Sequence, residues 1–254
     1  CVKDGGLHLT VAETGWAKAS YGKIYGQWLC GCGVMVYDFD IFSPDKLLKV
    51  IEDFKVTSFC APPTVYRYFI KKDMKKFDLS HLEHITTAGE ALNPEVFEQV
   101  HKQTGLQIME GFGQTESVLM LGNLVGSTAK IGSLGKPTPL YNIMIADNEG
   151  NRLPANEVGE IVVIPSENQH GIFMDYCGNE DLYANVWKYG IYHTGDTAYM
   201  DDDGYYWYVG RIDDLIKTRG YRVGPFEIEN VLMEHPAVME CAVTGVPDKA
   251  RGQA

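Results

Sequence analysis

Between Val34 and Met109 the chain repeatedly follows an apolar, β-rich run with a helix opened by proline, and no other feature of the sequence constrains the fold as much. Val34-Met35-Val36-Tyr37 reads as a buried strand from its β-branched and aromatic content. Ser43 then caps a helix with Pro44 at its first position and Leu47, Ile51 and Phe54 on one face. Val56-Thr57-Ser58-Phe59-Cys60 is the next strand, and Pro62-Pro63 opens a helix carrying Val65, Phe69 and Ile70. After the strand His84-Ile85-Thr86-Thr87, Asn93-Pro94 starts a helix with Val96, Phe97 and Val100, which Gly105 stops before the strand Leu106-Gln107-Ile108-Met109. This alternation predicts parallel strands joined by crossover helices. Ligands of such sheets sit beyond the carboxyl ends of the strands, where Ala88-Gly89-Glu90 and Gly111 to Glu116 emerge.

From Gly132 the texture changes to short strands between turn residues: Gly135-Lys136-Pro137, Asn142-Ile143-Met144-Ile145, Gly159 to Ile164, and Tyr205 to Val209. That pattern predicts an antiparallel, barrel-like subdomain. Gly210 to Arg222, dense in glycine and opposite charges, reads as a linker. Beyond it Pro225 to His235 is expected to be a helix ended by Pro236, and Ala237 to Val246 a strand. The fold class expected is α/β and α+β. A large N-terminal domain runs over 1–211, a small C-terminal domain begins at 212–254, and a hinge lies near 211–214.

A net charge of -12 argues against a nucleic-acid partner, since such binding rests on clustered Lys and Arg. The longest nearly apolar run, Trp28 to Tyr37, is broken by glycine and falls far short of the roughly 20 residues of a membrane span. Six cysteines without a C-x-x-C pair suggest neither a disulfide framework nor a zinc site. Reduced, buried thiols in a cytoplasmic protein are expected instead. Cys1 in place of methionine, and a last segment that stops just after a strand and turn, read as ends within a longer chain.

The densest chemistry is in Met109-Glu110-Gly111-Phe112-Gly113-Gln114-Thr115-Glu116. Glycine lets backbone approach a ligand, Phe112 can lie against a purine, Thr115 can donate to a phosphate oxygen, and Glu116 is a hard oxygen ligand of the kind Mg²⁺ selects. A strand ending in a glycine-rich turn capped by Thr115 and Glu116 would carry the same residues without a ligand.

Taken in order, Ala88-Gly89-Glu90, Gly111 to Glu116, Val158-Gly159-Glu160-Ile161, Tyr192-His193-Thr194-Gly195-Asp196 and Gly210-Arg211-Ile212-Asp213-Asp214 to Gly220-Tyr221-Arg222 resemble the successive core motifs of the adenylate-forming enzymes. That group includes acyl-CoA synthetases, adenylation domains of peptide synthetases and firefly luciferase. Thr14-Gly15-Trp16, Ala61 to Arg67 and Gly220 to Asn230 are most similar to the medium-chain acyl-CoA synthetases. The resemblance runs from about Thr14 to Gly252.

It implies activation of a carboxylate with ATP and Mg²⁺ to an acyl-adenylate and pyrophosphate, then transfer of the acyl group to coenzyme A. Phe112 would stack on adenine, with backbone around Gly89 and Glu90 on the ring's other side and Gly111, Gly113 and Gln114 completing the loop. Asp196 would accept the ribose hydroxyls, a task suited to an anion, and Arg211 would reach the same ribose. Thr115 would contact the α-phosphate and Glu116 would ligate Mg²⁺. Asp213 matches the hinge, Gly220 the pantetheine tunnel and Arg222 a phosphate-facing arginine; Lys217 is a weaker candidate. In acetate-specific relatives a tryptophan follows the adenine-stacking aromatic, so Gly113 implies an open acyl pocket with Trp16 as its outer wall. Acids from propionate to octanoate in size, branched or aromatic, would be preferred to acetate.

Two elements of the family have no match here. Its Ser/Thr/Gly-rich phosphate loop precedes the region matching Thr14, and its catalytic lysine lies beyond Gly252; Lys249 is not in a matching context. The chain by itself is therefore expected to be inactive. A non-catalytic nucleotide- or acyl-binding module and a peptide-synthetase-type adenylation domain remain as alternatives, and oligomeric state is open.

Overall fold

A computed structural model describes residues 2–167, 169–219, 221–235, 237–238 and 241–254. The chain divides into two compact units, Cys1–Gly132 and Ser133–Ala254.

The first unit is built on a mostly parallel sheet. Its strands are β1 (Leu7–Thr10), β2 (Gly33–Met35), β3 (Ser58–Cys60), β4 (His84–Ala88), β5 (Ile108–Gly113) and β6 (Leu119–Gly122), in the spatial order β2-β1-β3-β4-β5-β6. All neighbours are parallel except β5 and β6. Between β1 and β2 the chain winds through α1 (Ala17–Ala19), a π-helical turn (Ser20–Tyr25) and α2 (Gly26–Leu29). The crossover helices are α3 (Pro44–Asp53), α4 (Pro63–Phe69) and α5 (Pro94–Thr104).

Their ends follow the expected chemistry. The Ser43 hydroxyl accepts from the Lys46 amide, the Asn93 amide oxygen accepts from the Glu95 amide, and Gly105 closes α5 at φ +75°. Leu47, Leu48 and Ile51 of α3, Val65, Tyr66 and Phe69 of α4, and Val96, Phe97 and Val100 of α5 join Leu9, Phe59, Ile85 and Ile108 in one core. Phe54, expected on the buried face of α3, instead ends that helix and is exposed, because the chain turns away there through Lys55 at φ +53°.

In the second unit β7 (Lys136–Pro137) precedes an antiparallel sheet of β8 (Asn142–Ala146), β9 (Gly159–Ile164), β10 (Trp187–Lys188), β11 (Ile191–Met200) and β12 (Tyr206–Arg211). Its order is β10-β11-β9-β8, with β12 also pairing β11, and α6 (Glu180–Val186) leads into β10. Met144, Ala146, Val162 and Ile191 form a core on it. The segment read as a linker becomes an antiparallel hairpin of β13 (Ile216–Thr218) and β14 (Tyr221–Val223), with Arg219 at φ +50°. Then come α7 (Pro225–Met233), β15 (Pro247–Asp248) and β16 (Gly252–Gln253). α7 forms where expected and seats its first turn on β12. The ring of Phe226 meets that of Tyr208 at 5.8 Å, and Gly224 lies so close that a Cβ there would be 2.2 Å from the Val209 carbonyl oxygen. Ile228, Val231 and Leu232 remain exposed.

Three further expectations need correction. The strand expected over Ala237 to Val246 is absent from the described residues 237–238 and 241–246. The Val243 amide donates to the Glu229 carboxylate, and ladder pairing begins only where Val246 and Ala254 exchange backbone bonds. The last strand of the parallel sheet does not stop at Met109 but continues to Gly113, because β6 folds back and pairs Gly111 with Gly122 and Phe112 with Leu121. Among the described cysteines Cys32 and Cys60 are buried, but Cys30 and Cys177 are exposed; all are free thiols. No helix among the described residues is long and apolar enough to cross a membrane.

Candidate functional site

The expected site residues fall in both units, and each unit carries its share separately. In the first, Ala88 pairs with Gly111 across β4 and β5, so Gly89 leaves its strand beside the start of the Gly111 to Glu116 stretch. Gly89 sits at φ +100°, a conformation that L side chains rarely adopt. The Lys18 ammonium donates to the Ala88 carbonyl, and a Cβ added at Gly89 would lie 3.6 Å from that nitrogen. Lys18 also lies 5.8 Å from the Trp16 ring centroid. Burial lowers its pKa, and the charges of Cys60 and Glu90 oppose the shift. Glu90 is held by the Thr64 hydroxyl at 3.1 Å and by Arg67 at 3.2 Å. Its carboxylate is thus engaged by protein, as is the Ala88 carbonyl through Lys18.

After β5 the chain turns through Gln114, Thr115 and Glu116, and the buried Ser117 closes the turn by accepting from the Gln114 amide at 3.2 Å. Thr115 is exposed and Glu116 half-buried. Among the described residues no group of three or more His, Cys, Asp or Glu side chains is placed to hold a metal by itself. One carboxylate next to one hydroxyl nevertheless fits Mg²⁺, which keeps several waters and is bound by one or two carboxylates plus phosphate oxygens.

Gly113 does not face open space. A Cβ built on it would stand 2.3 Å from the Val118 carbonyl oxygen and 3.4 Å from the Leu119 Cα. The glycine is required by the tight β5–β6 reversal, so its lack of a side chain says nothing by itself about the size of an acyl pocket. Trp16 is exposed, at 47%.

Sequence reasoning passed over Glu110, one residue before the glycine stretch. It is 5% exposed, and its carboxyl accepts from the Leu92 amide at 2.9 Å. Burial raises its pKa to about 8, against the opposing pull of that hydrogen bond. An acidic letter within a strand gave no sign that it points inward. His8 was missed in the same way. It lies buried between the Ser58 hydroxyl at 2.7 Å and the Thr10 hydroxyl at 2.6 Å, and burial lowers its pKa to about 4.

In the second unit Asp196 and Arg211 face each other across β11 and β12. Asp196 is 5% exposed. Arg211 Nη1 donates to Asp196 Oδ2 at 3.3 Å and to the Thr194 carbonyl at 3.1 Å, while the Tyr208 hydroxyl donates to Asp196 Oδ1 at 3.2 Å. Gly195 takes φ +73°, and a Cβ there would lie 3.0 Å from the Arg211 guanidinium. Its amide donates to Glu160 Oε1 at 2.8 Å, and Glu160 Oε2 meets His193 Nδ1 at 2.7 Å. Glu160 therefore pins the strand just before the aspartate. The result is a buried carboxylate on β11, a strand flanked by β9 and β12, with a cation and a phenol against it; a carboxylate is a hydrogen-bond acceptor for hydroxyl groups.

Arg222 and Lys217 are register partners in the β13–β14 hairpin and both are exposed. Asp213 is exposed in the turn after β12, where the Asp214 amide donates to the Arg211 carbonyl at 3.1 Å. Gly220 lies outside the described residues.

Comparison with known proteins matches residues 9–173 to the family described as AMP-binding enzyme, and residues 227–254 to the AMP-binding enzyme C-terminal domain. The chain is 43% identical over 244 residues to acyl-coenzyme A synthetase ACSM3, mitochondrial, of Mus musculus, covering 95% of this chain and 42% of the relative. It is 43% identical over 254 residues to 4-hydroxybutyrate--CoA ligase 1 of Metallosphaera sedula, covering 99% of this chain and 45% of the relative. The chain thus spans less than half the length of these curated relatives. Among solved structures it resembles the anthranilate CoA ligase AuaEII in complex with anthranoyl-AMP, with TM-score 0.91 and 32% identity over 99% of this chain and 48% of that one. A benzoate CoA ligase from Burkholderia xenovorans LB400 matches with TM-score 0.83 and 27% identity, over 97% of this chain and 49% of that one.

Proposed function

We infer the activity from one premise: this chain belongs to the family of AMP-binding enzymes. We propose that the protein of which it forms a part is an acid-thiol ligase. It uses ATP to convert a carboxylate to an acyl-adenylate with release of pyrophosphate, and then passes the acyl group to coenzyme A. The relatives named as acyl-coenzyme A synthetase and as 4-hydroxybutyrate- and anthranilate-CoA ligases support this reading over a non-catalytic module or a peptide-synthetase domain.

The observation that carries it is the buried Asp196 carboxylate, set against Arg211 and Tyr208. In the proposed roles Asp196 accepts the ribose hydroxyls, the backbone around Gly89 and Glu90 and the ring of Phe112 bracket adenine, and Thr115 donates to the α-phosphate. Glu116 would hold Mg²⁺, whose charge offsets that of the departing pyrophosphate. Gly220 lines the pantetheine tunnel, Arg222 faces phosphate, and the chain pivots near Asp213. The boundary between a large and a small domain is placed at residues 211–214. The substrate proposed is a short- to medium-chain, branched or aromatic acid.

The test is acyl-CoA and pyrophosphate formation by the full-length protein across an acid series from acetate to octanoate and benzoate. Turnover dependent on both acid and coenzyme A is expected. Pyrophosphate release that needs acid but ignores coenzyme A would favour the carrier-protein class instead, and no acid dependence would leave only a binding module.

A further inference from the structure

Tyr208 reaches Asp196 through an irregularity of the ladder that the motif pattern does not contain. Across β11 and β12, Asp196 pairs with Arg211 and Thr197 with Gly210, but Ala198 pairs with Tyr208, so Val209 is an extra residue. In a regular register Arg211 would share its face with Val209 and Trp207. The one-residue bulge reverses the phase and puts Tyr208, three positions before Arg211, on the face that Arg211 and Asp196 occupy. Bulges of this kind re-aim a side chain next to a functional site.

Here the re-aimed group is a phenol whose hydroxyl donates to Asp196 Oδ1 at 3.2 Å, while Arg211 takes Oδ2 at 3.3 Å. The carboxylate is therefore gripped from both oxygens. The phenol is itself held, since its ring meets that of Phe226 near edge-on, at 5.8 Å and 70°. Burial and the Asp196 charge raise the Tyr208 pKa, so the hydroxyl stays a donor.

We propose that Tyr208 is a positioning residue of the ribose site: its hydroxyl fixes the rotation of the Asp196 carboxylate in the orientation that meets both ribose hydroxyls together. The proposal rests on the reading of Asp196 as the ribose acceptor. Without the phenol the group can turn about its Cβ–Cγ bond and lose the bidentate geometry.

The experiment is calorimetric titration of the full-length protein and its Tyr208→Phe variant with AMP and with 2′,3′-dideoxy-AMP. The ratio of the two affinities is read within each preparation, so any misfolded fraction cancels. The wild type is expected to prefer AMP. In the variant AMP binding should weaken by roughly 3- to 10-fold, less than the roughly 10- to 150-fold of losing a hydrogen bond to a charged group outright because the carboxylate itself stays, while dideoxy-AMP binding stays unchanged. Equal weakening toward both ligands would make Tyr208 a general packing residue and overturn the proposal, as would an unchanged AMP affinity. A wild type without preference between the ligands would overturn the ribose reading of Asp196 itself, whatever the variant does.

Discussion

Replacing Glu110 with glutamine should make the protein more resistant to unfolding in alkali and leave it nearly unchanged in mild acid. The Glu110 carboxyl is 5% exposed in β5, and burial raises its pKa from 4.5 to about 8. Between those values the folded protein keeps a proton that the unfolded chain has released. Stability therefore falls as pH rises through that window and is level on either side of it. At about 1.4 kcal/mol per pH unit the whole interval corresponds to a ceiling of about 5 kcal/mol, and relaxation around a buried charge makes roughly half of that the working figure. Glutamine keeps the oxygen that accepts from the Leu92 amide but has no proton to lose. Urea unfolding of wild type and variant at pH 5 and pH 9, followed by tryptophan fluorescence, gives the difference directly. The variant should be close to wild type at pH 5 and more stable by about 2–3 kcal/mol at pH 9. A difference of the same size at both pH values would show that Glu110 does not titrate in this window, and the reasoning would be wrong.

Asp196→Ala in the full-length protein should weaken AMP binding by about 1.5–3 kcal/mol, the range of a hydrogen bond to a charged group; unchanged affinity in calorimetry would return Asp196 to a purely structural role. His8, with its pKa lowered to about 4, is held neutral while the unfolded histidine protonates near pH 6.5, so stability should drop as pH falls from about 6.5 toward 4. His8→Phe should flatten that limb of a pH–Tm profile, and an unaltered limb would contradict it. Gly113→Ala should cost about 1–3 kcal/mol by overpacking, because its Cβ would lie 2.3 Å from the Val118 carbonyl oxygen; a neutral thermal shift would mean the turn yields freely.

The parallel half was legible because its helix starts are written in local chemistry. Ser43-Pro44 and Asn93-Pro94 satisfy or dispense with amides that no partner inside the helix can reach, whatever the rest of the chain does. β1 was not legible. Leu7-His8-Leu9-Thr10 alternates polar and apolar residues like a half-exposed strand, yet it lies between β2 and β3 with His8 and Thr10 buried, their polarity absorbed by hydrogen bonds to each other and to Ser58. The segment Ala237 to Val246 failed for the opposite reason. Its apolar residues look like a strand, but a strand is made by its neighbour, and the Val243 amide finds a carboxylate rather than a ladder.

Site residues divide along the same line. Asp196 and Arg211 could be marked because their motifs resemble those of the adenylate-forming enzymes, and the structure pairs the two across β11 and β12. Tyr208 could not be marked, since its facing is set by a bulge at Val209 that exists only in the paired sheet. At Gly113 the absence of a side chain has a backbone reason of its own. The sequence says that no side chain is present, and an open pocket was read from that absence. The missing Cβ, however, would point at the Val118 carbonyl, so the reversal of β5 into β6 already demands glycine there. A tryptophan at 113 could enter only with a different β5–β6 turn. The proposed acyl-chain selection is therefore better probed from Trp16, which is exposed and next to the Lys18 contact with Ala88, than from a glycine whose substitution changes the backbone first.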